Sequence, residues 1–350
     1  MVGGASRGCR PSSMILSMIA ATVASSSLLV IEQSLHARHR PPPGQRHAEV
    51  PARLDSAATA LRRAPFAHQL EWRRAMDTQV GPEGAVAALK LVHTVEHLRT
   101  VQEMSKVGGG FDTDTYCAPG SWEAMLDGTR AWLEAVAVAA AGRGPALALC
   151  RPAGHHATRN VAMGFGLVNF AATAVAAELE SSPSSQVAIL DWDVHHGNGV
   201  ADIFRDEARV LYCSIHEAGG FPGTGMDETD RGPHGNLLHL PLPRGSGSQA
   251  YLSALRERAL PFLLGDGEQG APSTLLICSG YDALEADPLA TMMLSPATYG
   301  ESIHSITHEF GFPCERIALG LEGGYSLSQE DGMPAALVQT VAALLSPSES

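Results

Sequence analysis

The chain has 350 residues, 37 of them acidic and 24 basic, for a formal net charge of −13. A hydrophobic content of 45% with only 17% charged residues argues against intrinsic disorder and for a packed core. The acid excess argues against a protein that grips nucleic acid by displacing counterions, so no direct nucleic-acid partner is expected.

The first 31 residues carry no acidic side chain, and Arg7 and Arg10 sit among serines. That composition fits an organelle transit peptide, for chloroplast or mitochondrion. Ser25, Ser26 and Ser27 interrupt the apolar run that begins at Met14, which makes a secretory signal or a membrane span a poorer fit. The plainer reading is a tail ahead of a first core strand at 28–31, in a cytoplasmic protein. The expected organisation is an N-terminal tail over 1–27, one domain over 28–345 and a short tail over 346–350. A Pro-rich stretch over 40–44 marks a loop. No later segment is long enough to be an interdomain linker.

Helical periodicity runs over 85–104, 121–142, 170–181, 249–264, 296–310 and 333–345. Between these stand short apolar runs at 146–150, 187–190, 210–214, 274–279 and 317–321. Runs that are apolar throughout read as strands buried on both faces. Their alternation with helices predicts an α/β domain with a parallel central sheet flanked by helices. The cysteines Cys9, Cys117, Cys150, Cys213, Cys278 and Cys314 are widely spaced, which describes neither a disulfide framework nor a Cys-type zinc site.

In a parallel sheet, ligands bind beyond the carboxyl ends of the strands. Here those ends are chemically rich. The first run is followed by His155-His156, the second by Asp191, Asp193, His195, His196 and Asn198, and the third by His216. Asp282 follows the fourth, and Glu322-Gly323-Gly324-Tyr325 the fifth. Asp193 and His195, two positions apart, leave a strand end on one side, and Asp282 would close a three-ligand set from a neighbouring strand. Such a set suits a zinc ion, which would polarise a carbonyl and activate a water. The histidine pair can supply a base and an acid, with Asp191 and Asn198 as the nearest groups to orient them. Tyr325 could donate to an oxyanion. These parts amount to metal-assisted amide hydrolysis.

The segments RPAGHHATRNVAMGFGLVNFA, ILDWDVHHGNGVADIF, SIHEAGGFPGTG, SGYDALEADPLA and LEGGYSL, with weaker matches in RHAEVPARL and FDTDTYCAPGSWEA, resemble the histone deacetylase family. Within it they are similar to the class II-like branch that has bacterial and plastid members. The resemblance spans about 28–345. It implies an arginase/deacetylase-like fold with about eight strands, and zinc on Asp193, His195 and Asp282. It implies His155 and His156 as the catalytic pair, with His156 as the base, Asp191 and Asn198 as their partners, and Tyr325 as the transition-state tyrosine. For substrate it implies Gly164 as acceptor of the amide N–H, and Phe165 and Phe221 along the acyl-lysine channel. Leu289 would stand at the mouth, Asp114 on the rim, and Gly324 beside the tyrosine. A structural potassium ion would use Asp191, Asp193, His195, Ser214 and Ile215.

Departures from the family pattern refine this. Acetylpolyamine-selective relatives carry a glutamate where this chain has Leu289, so an acetylated protein or peptide is the expected substrate. Small acetylated amines, or silent binding of acyl-lysine, are the alternatives. A cysteine of many relatives is Gly166 here, which would open the pocket floor. Two-manganese arginase chemistry needs aspartates where Gly197 and Leu284 stand. The sequence His93-Thr94-Val95-Glu96-His97 spells a metalloprotease signature on an expected helix, but no third ligand lies near it, so both histidines read as structural. His216, His234, His239, His304 and His308 receive no role.

Overall fold

The computed structural model describes residues 27–265 and 271–346. Residues 1–26 of the tail expected over 1–27, with its targeting reading, and residues 347–350 lie outside the described residues. The strands are β1 (Leu28–Glu32), β2 (Leu70–Arg74), β3 (Gly109–Gly110), β4 (Tyr116–Cys117), β5 (Ala146–Leu149), β6 (Val187–Asp191), β7 (Val210–Glu217), β8 (Leu237–Leu242), β9 (Thr274–Ser279) and β10 (Ile317–Leu321). The helices are α1 (Ala52–Arg63), α2 (Pro82–Val92), α3 (Val95–Val107), α4 (Ser121–Ala140), α5 (Phe170–Ser181), α6 (Asn198–Phe204), α7 (Ser248–Ala254), α8 (Leu260–Leu264), α9 (Pro296–His304) and α10 (Met333–Leu345). Among the described residues no helix is long and apolar enough to cross a membrane.

Eight strands form one sheet in the order β2-β1-β5-β10-β9-β6-β7-β8, and every pairing in it is parallel. β3 and β4 make a separate two-residue antiparallel pair. Alternate residues of the large sheet feed two cores. Ala318, Leu276, Cys278, Val187 and Ile189 join the core under α2, α4 and α5. Their neighbours Ile317, Leu319, Leu275, Ile277, Ala188 and Leu190 join the core under α1, α9 and α10. Both faces are covered, which is why these strands read as unbroken apolar runs.

In β10 the contact is close enough to demand glycine. A Cβ at Gly320 would stand 2.1 Å from the Trp132 ring of α4, and Trp132 is fully buried. Gly320→Ala should therefore cost about 1–3 kcal/mol of overpacking. Thermal unfolding monitored by circular dichroism should show a melting point several degrees lower; an unchanged midpoint would refute the contact.

The sequence reading missed β2, β8, α1, α6 and the short pair of β3 and β4. The helix expected over 85–104 is two helices. α2 stops at Val92, and Thr94 caps α3 by accepting a hydrogen bond from the His97 backbone N–H at 3.2 Å. His93 therefore lies outside both helices, although its ring stacks on that of His97 with centroids 4.9 Å apart. The expected helices 249–264 and 296–310 are interrupted by π-helical turns at Leu255–Ala259 and Ser305–Glu309. β7 runs on to Glu217, so His216 lies inside the strand rather than beyond it.

Candidate active site

A parallel sheet brings all its carboxyl ends to one edge. There, loops after β5, β6, β9 and β10 meet over β6, with β7 alongside. His195 Nδ1 lies 3.1 Å from Asp193 Oδ1 and 3.1 Å from Asp282 Oδ2, and one ligand atom from each residue falls within 4.8 Å of the other two. Both carboxylates are buried, which is costly for two like charges without a cation between them. Their other contacts hold them in place. Gly323 N donates to Asp193 Oδ2 at 2.7 Å, and Val194 N donates to Asp282 Oδ1 at 2.9 Å. A Cβ on Gly323 would stand 2.1 Å from Asp282 Oδ2, so only glycine leaves room there. Two carboxylates and one imidazole nitrogen, buried and convergent, fit a small divalent cation such as zinc with one position left open.

The histidine pair stands beside this set, with ring centroids 4.0 Å apart. His155 Nδ1 lies 3.0 Å from Asp191 Oδ2, and the Tyr212 hydroxyl donates to the same oxygen at 3.0 Å. Burial opposes a charge on His155, but Asp193 and Asp191 outweigh it and lift its pKa to about 10. His156 Nδ1 lies 2.8 Å from Asn198 Oδ1, while Asn198 Nδ2 donates to His156 O at 3.3 Å. Since Oδ1 can only accept, His156 carries its proton on Nδ1 and offers the Nε2 lone pair. Burial, then the neighbouring His155 and His195, pushes the His156 pKa well down and keeps the ring neutral. One histidine is thus held charged and its neighbour neutral.

A cavity of about 400 Å³ opens above these groups. It is lined by His155, His156, His195, Gly164, Phe165, Phe221, Leu289, Tyr325 and the segment Asp112–Asp114. Phe165 takes φ +66°, and its N–H donates to Thr115 Oγ1 at 3.1 Å, which ties the wall to the rim loop. Gly164 takes φ +57°, and a Cβ there would stand 2.3 Å from the His156 ring. The Phe165 and Tyr325 rings meet edge to face at 5.5 Å.

The sequence pattern of the histone deacetylase domain matches residues 47–341. The chain belongs to the histone deacetylase family. It is 39% identical over 303 residues to an uncharacterized Synechocystis protein, covering 86% of this chain and 95% of that one. It is 35% identical over 298 residues to a histone deacetylase-like amidohydrolase of Pseudomonas aeruginosa, covering 82% and 74%. The crystal structure of the HDA15 HD domain superposes with a TM-score of 0.76 at 28% identity, covering 92% of this chain and 91% of that one. The single α/β domain with its eight-stranded parallel sheet is thus the deacetylase fold.

Most residues singled out from the sequence of this histone deacetylase-family hydrolase meet at the cavity, and some do not. Gly324 is not in its lining; its carbonyl accepts from Arg53 Nε at 2.7 Å, and its role is in the backbone below Tyr325. Gly166 is not in the lining either, and a Cβ there would stand 2.9 Å from the Ala153 carbonyl. Of the five potassium candidates, Asp191 and Ser214 are partners in the β6–β7 register, and Ser214 Oγ lies 3.0 Å from His216 Nδ1. His93 and His97 are structural. His93 Nε2 accepts from Asn169 N at 2.9 Å, and His97 Nε2 lies 2.9 Å from the Leu167 carbonyl. His196, His216 and His239 form a cluster of their own, with His196 Nε2 3.0 Å from His239 Nδ1.

Sequence reasoning missed the support beneath the histidines and the tyrosine. Glu322 is fully buried, and its Oε2 accepts from Gly154 N at 2.5 Å and His155 N at 3.2 Å. Burial raises its pKa to about 8, despite the opposing pull of His155. Arg53 spans 4.6 Å over the Tyr325 ring and also donates to Glu322 O at 2.6 Å. Glu49, itself buried, takes Arg53 and Arg151 together. Glu49 and Arg53 lie within RHAEVPARL, Arg151 within RPAGHHATRNVAMGFGLVNFA and Glu322 within LEGGYSL, but nothing in their spacing gave them a role.

Proposed function

We propose that this chain is a zinc-dependent protein lysine deacetylase, which hydrolyses the acetyl amide of acetylated lysine side chains and releases acetate. The single observation that carries the reading is the Asp193–His195–Asp282 set at the base of a narrow cavity that also holds the histidine pair and Tyr325. Asp193, His195 and Asp282 would hold one zinc per chain. When bound, the ion supplies Lewis acidity toward the substrate carbonyl and lowers the pKa of a water. His156 Nε2 takes a proton from the attacking water. Tyr325 donates a hydrogen bond to the carbonyl oxygen as negative charge grows on it. The water oxygen bonds to the carbonyl carbon, the C–N bond breaks, and a histidine of the pair passes the proton taken from the water to the leaving amine, so that both rings end as they began.

The walls suit an acylated lysine. Phe165 and Phe221 flank an aliphatic stem, and the Gly164 carbonyl accepts the amide N–H. Asp114 on the rim would hold the substrate backbone. Leu289, 42% exposed at the mouth, offers an apolar contact and no charge for a polyamine. Residues 28–345 act as one catalytic domain, and the acid-poor, Arg-containing start directs it to an organelle. A turnover panel of acetyl-lysine peptides against acetylpolyamines, with zinc content measured on the same preparation, tests the substrate. Higher kcat/KM on the peptides is expected. Preference for the polyamines would replace the protein reading with the small-amine one. Zinc-loaded protein that binds peptide without turnover would reduce it to a silent binder.

A further inference from the structure

Tyr325 sits on backbone that no strand supports, since β10 ends at Leu321 and the chain from Glu322 to Ser328 is irregular. Buried amides there still need acceptors. Side chains from distant loops provide them: Asp193 takes the Gly323 N–H, and Asp287 takes the next two that follow Gly324. Asp287 Oδ2 accepts from Tyr325 N at 2.6 Å and from Ser326 N at 3.3 Å. Its Oδ1 accepts from Leu289 N at 3.0 Å. Its own N–H donates to the Leu284 carbonyl at 3.0 Å, which fixes the carboxylate relative to the loop that carries Asp282. The side chain is buried, with 6% of the residue exposed.

One carboxylate therefore joins the cavity mouth to the residue that faces the substrate carbonyl. We propose that Asp287 is the positioning residue of this site, setting the backbone of Tyr325 against that of Leu289 so that the phenol and the mouth keep a fixed separation. A carboxylate has lone pairs for all three N–H groups, and charge-assisted bonds are the stronger kind. Asparagine cannot replace it fully. With its oxygen toward Tyr325 and Ser326, its NH2 meets the Leu289 N–H, donor against donor; turned round, it deserts Tyr325. Asp287 itself does not line the cavity, so it acts through the two residues it holds.

This inference rests on Tyr325 serving the proposed hydrolysis, and a double-mutant cycle separates the two. Asp287→Ala and Asp287→Asn are compared with the parent in the wild-type and Tyr325→Phe backgrounds, with zinc content and thermal midpoint as controls. In the wild-type background Asp287→Ala should lower kcat by about 10–100-fold, the scale of a misplaced catalytic group, with KM moving less and Asp287→Asn falling between. In the Tyr325→Phe background the same change should cost under about twofold, because the hydroxyl it positions is gone. Hydrogen exchange should show lost protection confined to the amides of Leu289, Tyr325 and Ser326. Losses that multiply across the two backgrounds, or a wild-type kcat in Asp287→Asn, would overturn the assignment. If Asp287→Ala fails to fold, Asp287→Asn carries the cycle alone. Full activity in Tyr325→Phe would instead overturn the proposed function, whatever Asp287 does.

Discussion

Tyr325→Phe should lower kcat by about 10²–10³-fold, the loss typical of one oxyanion donor. The substitution removes a hydroxyl and little else. Phenylalanine keeps the edge-to-face contact with Phe165 at 5.5 Å and the ring beneath the Arg53 guanidinium at 4.6 Å. Asp287 bonds the Tyr325 backbone and does not depend on the side chain. The thermal midpoint and the zinc content should therefore match those of the parent, and KM should change little, because the donor matters most as charge develops. Steady-state kinetics on an acetyl-lysine peptide, with metal analysis alongside, decides it. Retention of more than about a tenth of the parental kcat would remove Tyr325 from the mechanism.

Asp282→Asn should abolish turnover together with metal binding. The amide can keep the Val194 N–H on its oxygen, so the loop survives, but the charge that faces Asp193 and His195 is lost. The parent should gain stability from zinc by mass action, about 2.7 kcal/mol when free zinc exceeds Kd a hundredfold. Chelation should lower its melting point, and zinc should restore it. Asp282→Asn should melt at the same temperature with or without zinc. Two equivalents of manganese in the active parent, or activity that survives complete chelation, would contradict a single-zinc site.

The legibility of this protein in its sequence follows from burial. β5, β6, β7, β9 and β10 are covered on both faces, so their apolar runs stand out and their polar ends can be recognised as one edge. β2, at one margin of the sheet, reads Leu-Glu-Trp-Arg-Arg and is only partly buried, which leaves no apolar signal. β8, at the other margin, contains Pro241, a residue that marks edge strands and argues against a strand on sequence alone. The split between α2 and α3 was written in Thr94, a capping residue three positions before His97, but the periodicity across it continues. In the site, the convergence of Asp193, His195 and Asp282 was legible because their types and spacing stand at the ends of recognisable strands. Asp287 and Arg53 were not, because their partners are backbone atoms of the tyrosine loop, 38 and 271 positions away. Any side chain with an acceptor or a donor could do such work from anywhere in the chain.

The place of β10 has a consequence for how the molecule comes into being. Among the described residues it is the last strand to be synthesised, yet it lies between β5 and β9 in the middle of the sheet. Until it inserts, β2-β1-β5 and β9-β6-β7-β8 are two half-sheets with a gap between them, each with an unpaired inner edge. The Gly323 N–H that anchors Asp193 arrives with the same segment. Closure thus pairs residues far apart in the chain, the kind of step that makes folding slow. A growing chain on the ribosome would hold Asp193, His195 and Asp282 already made but not yet clasped, and metal capture would belong to the final act of folding rather than to its beginning.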